Sequence, residues 1–299
     1  MFRASLLILI LSVVTSFPTE YSTEATKEYF FLNAALFSTP ASVCVDKYID
    51  TEGEWKIIDR KTDSICDYLN QTCGYLVLRS DVYREYIVVY RGSIGRQVEG
   101  EVEETFLPQV RLAGGRVHLY FYTAQNSTWG LVSGILKTEG TKDYTVVFTG
   151  HSLGGAASVI SAARAVEEGL KNGSQVAIWT FGQPRVGNSE FSTYIDDTFD
   201  VVYRVVNRRD IVPHIPPCFA KGLTGCFPAT FGYYHEITEV WYPEGLYELN
   251  STYQICTNGG EDPSCSNSLI ANYSWDDHAG AEGYFNIDPA VYGSANCQD

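Results

Sequence analysis

Short apolar runs alternate along the chain with stretches of helical spacing. The runs at 73–80 and 84–93 predict strands, and those at 144–150, 175–181 and 201–207 are typical of buried parallel strands. Helical spacing is found at 24–38, at 128–140, and from Leu153 until Gly173 ends it. Strands that alternate with helices predict an α/β fold with a mostly parallel central sheet flanked by helices.

The first residues form a short apolar run behind one basic residue, Arg3. Val14 and Ser16 are small enough for the −3 and −1 positions of a cleavage site. The run is shorter than the ~18 apolar residues of a membrane span, so we expect a secretory signal peptide over residues 1–16. Residues 17–299 show no repeat, low-complexity segment or linker, and we expect them to form one domain.

Composition narrows the classes of partner and compartment. Hydrophobic residues make up 45% and charged residues 19% of the 299, as in a folded globular protein. The net charge of −15 argues against nucleic acid as a partner and against anionic lipid headgroups. We therefore expect an extracellular protein with an acidic surface.

Secretion also changes how the eight cysteines and the sequons are interpreted. An even number of cysteines without a CxxC or a Cys/His cluster predicts disulfides, and no metal site is expected. Five Asn-x-Ser/Thr sequons predict glycosylated surface loops, at Asn70, Asn126, Asn172, Asn250 and Asn272.

The segment "VVFTGHSLGGAASVI" carries Ser152 in a Gly-x-Ser-x-Gly context between a predicted strand and a predicted helix. In a nucleophile elbow, the strand and the helix pass so close to the serine that only glycine fits two residues on either side. Gly150 and Gly154 meet that requirement. The pattern favours an exposed nucleophile over an ordinary structural turn.

A nucleophilic serine needs a histidine base that is oriented by a carboxylate, in the chain order serine, acid, histidine. Asp210 lies just beyond the predicted strand 201–207, at the sheet edge where open α/β folds gather their sites. Two of the five histidines follow this acid at sufficient distance, His235 and His278. These arguments alone do not choose between them.

Five segments in sequence order resemble the class 3, fungal-lipase-like family: "FTGHSLGGA", "TFGQPRVGN", "NRRDIVPHIPP", "YYHEITEVWY" and "DDHAGAEGYFN". The resemblance implies an α/β-hydrolase-type core that hydrolyses acyl esters, with Ser152 as nucleophile and Asp210 as acid. It identifies His278 as the base, followed by the aromatic pair Tyr284-Phe285, and gives His235 a structural role.

Two N–H groups should stabilise the oxyanion of the reaction. One is expected from Leu153, directly after the nucleophile; the resemblance assigns the other to Ser93 in "YRGS". The family also implies a lid over 94–110, although an ordinary amphipathic surface helix is equally consistent with the pattern. The segment contains four glutamates and no tryptophan, so we expect weak or absent interfacial activation.

Short loops cost little to close, so we expect Cys66–Cys73, Cys218–Cys226 and Cys256–Cys265 disulfides. Cys44 and Cys297 remain, and the family resemblance supports this long bridge.

Together these features predict a secreted serine ester hydrolase that acts on lipids, as a triacylglycerol lipase does, through an acyl-enzyme. We expect a monomer that needs no cofactor, uses a lipid or other acyl ester as substrate, and touches lipid interfaces transiently. A phospholipase or a feruloyl-type carbohydrate esterase on the same fold remains an alternative. A non-catalytic secreted binding protein is the alternative outside the enzymes.

Overall fold

The computed structural model describes residues 17–94, 108–222 and 225–298. The predicted signal peptide, residues 1–16, lies outside the described residues. So does most of the predicted lid, residues 95–107.

The centre of the described structure is an eight-stranded sheet. Its strands are β1 (Lys56–Ile65), β2 (Thr72–Ser80), β3 (Glu85–Tyr90), β6 (Thr145–His151), β7 (Val176–Phe181), β8 (Val201–Asn207), β11 (Glu239–Tyr242) and β12 (Gln254–Cys256). They lie side by side in that order. The run from β3 to β11 is parallel, whereas β1, β2 and β12 pair antiparallel at the edges. This confirms the predicted mostly parallel sheet.

Two small antiparallel hairpins stand apart from this sheet. They are β4 (Gln109–Leu112) with β5 (Gly115–His118), and β9 (Phe219–Lys221) with β10 (Gly225–Phe227).

Helices cover both faces of the sheet, as predicted. They are α1 (Thr23–Ala34), α2 (Ser42–Tyr48), α3 (Leu119–Leu136), α4 (Leu153–Glu167), α5 (Ser189–Thr198), α6 (Asp276–Ala279) and α7 (Pro289–Ser294). Side chains alternate along β6, so Val146 and Phe148 join the core under α3 and α4, while Val147 joins the core under α1. Within the described ranges, no helix is long and apolar enough to cross a membrane.

All three predicted helices differ from their predicted bounds. α1 ends at Ala34 rather than near Ser38. α3 begins at Leu119 rather than near Thr128, because the His118 side chain caps it by accepting the Tyr120 N–H at 3.2 Å. α4 ends at Glu167, before Gly173, because Gly169 takes a left-handed conformation with φ +67°.

The eight cysteines form four disulfides: Cys44–Cys297, Cys66–Cys73, Cys218–Cys226 and Cys256–Cys265. The first joins positions 253 residues apart and fastens the C-terminal segment to α2. All five sequon asparagines are exposed. Asn126, however, lies inside α3 and accepts a hydrogen bond from Arg164, so it is not in the surface loop that we expected.

Candidate active site

Ser152 occupies a strained turn between β6 and α4, with φ 58° and ψ −129°. Both flanking glycines are needed there. A Cβ on Gly150 would overlap the backbone carbonyl of Gly154, and one on Gly154 would overlap the carbonyl of Tyr90 on β3. The Ser152 N–H donates to the Phe181 carbonyl at 2.9 Å, which fixes the turn against the end of β7. This is the geometry of a nucleophile elbow.

Asp210 and His278 meet at the carboxyl edge of the sheet. Asp210 follows β8, His278 lies on the short helix α6, and Nδ1 of the histidine is 2.9 Å from Oδ2 of the carboxylate. The buried Tyr284 hydroxyl donates to the same Oδ2 at 2.7 Å, and the Val212 N–H donates to Oδ1 at 2.9 Å. These bonds fix the carboxylate, which in turn orients the imidazole.

The electrostatics keep Asp210 ionised although it is completely buried. Burial acts to raise the pKa of its carboxyl group. The charge and hydrogen bond of His278 and the bonds from Tyr284 and Val212 outweigh burial, so the pKa of Asp210 lies below its ordinary value. A buried carboxylate of this kind can stabilise an imidazolium that forms beside it.

Ser152 and His278 line one cavity of about 100 Å³, together with Gly92 and Ser93. A Cβ on Gly92 would lie 3.6 Å from Cβ of Ser152, so the segment after β3 passes directly beside the serine. Leu153 begins α4, where the first backbone N–H groups have no partner within the helix. The two residues predicted for the oxyanion hole therefore flank Ser152 from different elements.

His151 lies against His278, a contact that no sequence pattern indicated. The two rings stack with centroids 4.3 Å apart, and Nε2 of His151 is 3.0 Å from the His278 carbonyl oxygen. Burial, together with the nearby His278, lowers the pKa of His151 to about 3. The ring is therefore neutral and can lie against an imidazolium without charge repulsion.

His235 lies elsewhere, in a buried polar cluster. Nε2 of its ring is 2.7 Å from the Pro213 carbonyl oxygen. Its backbone N–H donates to the Glu261 carboxylate, which forms an ion pair with Arg185 at 2.7 Å. Burial, with Arg204 nearby, lowers the pKa of His235 well below its ordinary value. His235 thus joins the segment after β8 to Glu261, which follows β12.

Gly182, in the "TFGQPRVGN" segment, is a site residue that the sequence analysis missed. It follows β7 with φ +53°, and a Cβ there would lie 2.6 Å from Oδ2 of Asp210 and 2.8 Å from Nδ1 of His278. The aspartate–histidine pair occupies the space that any side chain at this position would need. The only available signal was a glycine directly after a predicted strand.

One group among the described residues has the spacing of metal ligands: Cys218, Cys226 and Glu261. The two cysteines form a disulfide, which removes the thiolates that a metal would need. Glu261 is already committed to Arg185.

This chain is similar to known lipases, which is consistent with the geometry of a serine hydrolase active site. Residues 87–220 match the family model for class 3 lipases. A lipase of Caenorhabditis elegans is 32% identical over 300 residues, which cover 93% of this chain and 83% of the relative. The chain belongs to the class 3 lipase family. Class 3 lipases are carboxylic ester hydrolases with a serine triad.

Solved structures of class 3 lipases have the same fold. Lipase II of Rhizopus niveus superposes with a TM-score of 0.71 at 28% identity, covering 92% of this chain and 97% of that one. A triacylglycerol lipase described as having a serine protease triad at its catalytic centre superposes with a TM-score of 0.69 at 27% identity, covering 91% and 98%. The chain spans only 52% of the curated Rhizopus niveus lipase, at 34% identity over 225 residues.

Proposed function

We propose that this class 3 lipase hydrolyses acyl esters of lipids with Ser152 as nucleophile, His278 as base and Asp210 as the orienting acid. The observation that carries the proposal is the 2.9 Å bond between His278 and Asp210, beside a cavity that His278 shares with the elbow serine. A binding protein would need neither the strained turn at Ser152 nor the fixed aspartate–histidine pair.

The catalytic cycle follows from these positions. The Ser152 hydroxyl attacks the ester carbonyl carbon, and Nε2 of His278 takes its proton. N–H groups of Ser93 and Leu153 stabilise the oxyanion of the tetrahedral intermediate. When the intermediate collapses, His278 gives the proton to the departing alcohol, and a water molecule activated by the same histidine then releases the acid.

The substrate class is a glycerolipid ester. Support comes from the solved triacylglycerol lipase that superposes over most of this chain. The net charge of −15 disfavours anionic headgroups and leaves neutral acylglycerols as the preferred substrates. Contact with the lipid interface would then be transient.

The compartment that we propose is extracellular. Four disulfides favour an oxidising environment, and all five sequons are exposed to glycosylation enzymes. In this proposal residues 1–16 are removed as a signal peptide, and residues 17–299 act as one monomeric catalytic domain.

Activity-based labelling tests the proposal. A fluorophosphonate should label the wild type but neither Ser152→Ala nor His278→Ala, and loss of the base should lower turnover by as much as ~10⁶-fold. His235→Ala is the matched control: it should keep most of the turnover of the folded enzyme and lose melting temperature. If His235→Ala abolished labelling and His278→Ala did not, the proposed triad would be wrong.

A further inference from the structure

A second cavity, of about 420 Å³, lies beside the catalytic cavity and is formed by the C-terminal segment. Ala279 and Asp288 belong to the walls of both cavities. Ile287, Val291 and Ala295 also line this cavity, which we call the C-terminal groove, as do Asn286, Tyr292 and Gln298. Val291 is 68% exposed. The two cavities therefore adjoin at this wall.

The sizes of the two cavities indicate that each can hold a different part of a substrate. Pockets that hold whole small ligands occupy roughly 300–1,000 Å³. The catalytic cavity, at about 100 Å³, has room only for the groups around the scissile ester. The C-terminal groove, at about 420 Å³, has room for a further part of the substrate.

The reaction determines which part of the substrate lies on the side of the catalytic cavity that faces the C-terminal groove. His278 must give its proton to the oxygen of the departing alcohol, so the alcohol part of the ester lies next to the imidazole. Ala279 follows His278 directly and forms the shared wall. The groove therefore begins on the alcohol side of the scissile bond.

The lining suits an aliphatic chain. Ala279, Ile287, Val291 and Ala295 supply apolar surface. The one carboxylate in the shared wall, Asp288, accepts the N–H groups of Ala290 at 2.7 Å and Val291 at 3.3 Å, so it serves as the cap of α7. Aliphatic carbon gains free energy when it leaves water for such a surface.

The outer wall of the groove is held in place from α2. Cys297 is joined to Cys44, and the Tyr292 hydroxyl accepts a hydrogen bond from Lys47 Nζ at 2.9 Å. Since α7 is fastened in this way, the groove exists before substrate arrives, which lowers the entropy cost of binding.

We propose that the C-terminal groove binds an aliphatic chain on the alcohol part of the ester. In a glycerolipid this is an acyl chain that leaves with the glycerol. The inference rests on the proposed function and adds a preference: the enzyme should favour esters whose leaving alcohol carries a long chain.

Val291→Asp in the full chain tests the inference with two series of soluble monoesters. The first holds the acid as butyrate and lengthens the alcohol from ethanol to hexanol, and the second holds the alcohol as ethanol and lengthens the acid over the same range. Every ester is used below its solubility limit. A carboxylate in the groove should lower the long-to-short ratio of kcat/KM at least about tenfold in the alcohol series. In the acid series, the long-to-short ratio of kcat/KM should not change.

Val82→Asp is the matched control. Val82 is 54% exposed and lies in the turn between β2 and β3, at the opposite end of the parallel strands from Ser152. It should leave both ratios unchanged. Ala295→Trp narrows the groove without adding charge and should lower the same ratio as Val291→Asp.

The outcomes separate this inference from the proposed function. A loss confined to the acid series, or unchanged ratios in either groove variant, would overturn the inference while the wild type still hydrolyses ethyl butyrate. If the wild type hydrolysed none of the esters, the proposed function itself would be overturned.

Discussion

Replacing Gly182 with alanine should separate Asp210 from His278 in a protein that still folds. The new Cβ would lie 2.6 Å from Oδ2 of Asp210, whereas ordinary contact begins at 3.4 Å. The carboxylate must therefore retreat by about 0.8 Å, the difference between these two distances. The Cβ would also lie 2.8 Å from Nδ1 of His278, so the imidazole must move away as well. Together these shifts lengthen the 2.9 Å bond past ~3.2 Å, the upper end of ordinary N–H···O distances.

Two effects of different size follow from this substitution. An alanine at φ +53° loses roughly 1–2 kcal/mol of stability through backbone strain. A displacement of about 1 Å in a catalytic group can cost ~10²-fold in rate. We therefore expect a modest fall in melting temperature and a loss of about 100-fold in kcat/KM.

Gly169→Ala isolates the catalytic effect. Gly169 has φ +67°, but a Cβ there would meet nothing within 4 Å, so the variant has the backbone strain without the overlap. Hydrolysis of nitrophenyl butyrate and thermal unfolding should be measured for both variants. The reasoning is refuted if Gly182→Ala is destabilised like Gly169→Ala and keeps the wild-type kcat/KM.

Two further predictions concern ionisable groups. Tyr284→Phe removes a donor to the Asp210 carboxylate, so kcat should fall about tenfold and the pKa of Asp210 should rise. The depressed pKa of Asp210 contributes stability that is lost as pH falls from the unfolded-state pKa to the folded-state pKa. The variant should therefore lose less stability below about pH 4, and the loss should end at a higher pH. Urea unfolding measures this loss, and an unchanged pH dependence would contradict the prediction. Burial, with Asp50 and Glu85 nearby, raises the pKa of Glu28 to about 8. Folding then favours its protonated form, so stability should fall by at most roughly 1.4 kcal/mol per pH unit from about pH 5 to 8, and Glu28→Gln should flatten that slope.

Elements whose signals lie next to one another in the chain could be predicted without the structure. A β-branched run, a glycine-flanked serine and a helical repeat follow one another within residues 144–170, so the strand, the elbow and the helix were all predictable. Asp210 was found as the carboxylate directly after a buried strand. The outer strand β1 was missed, because its charged residues suit an exposed sheet edge and break the apolar run.

The packing of whole elements determines which side chains, far apart in sequence, come into contact. His235 and His278 both satisfied the chain order, and only the packing brings His278 to Asp210, 68 residues away, while it sends His235 to Pro213. The Tyr284 hydroxyl reaches the same carboxylate across 74 residues. Local patterns record which face of an element is buried, whereas a hydrogen bond between distant side chains depends on how whole elements pack. Before the structure, only the family resemblance distinguished His278 from His235, because the chain order and the residue types allowed both.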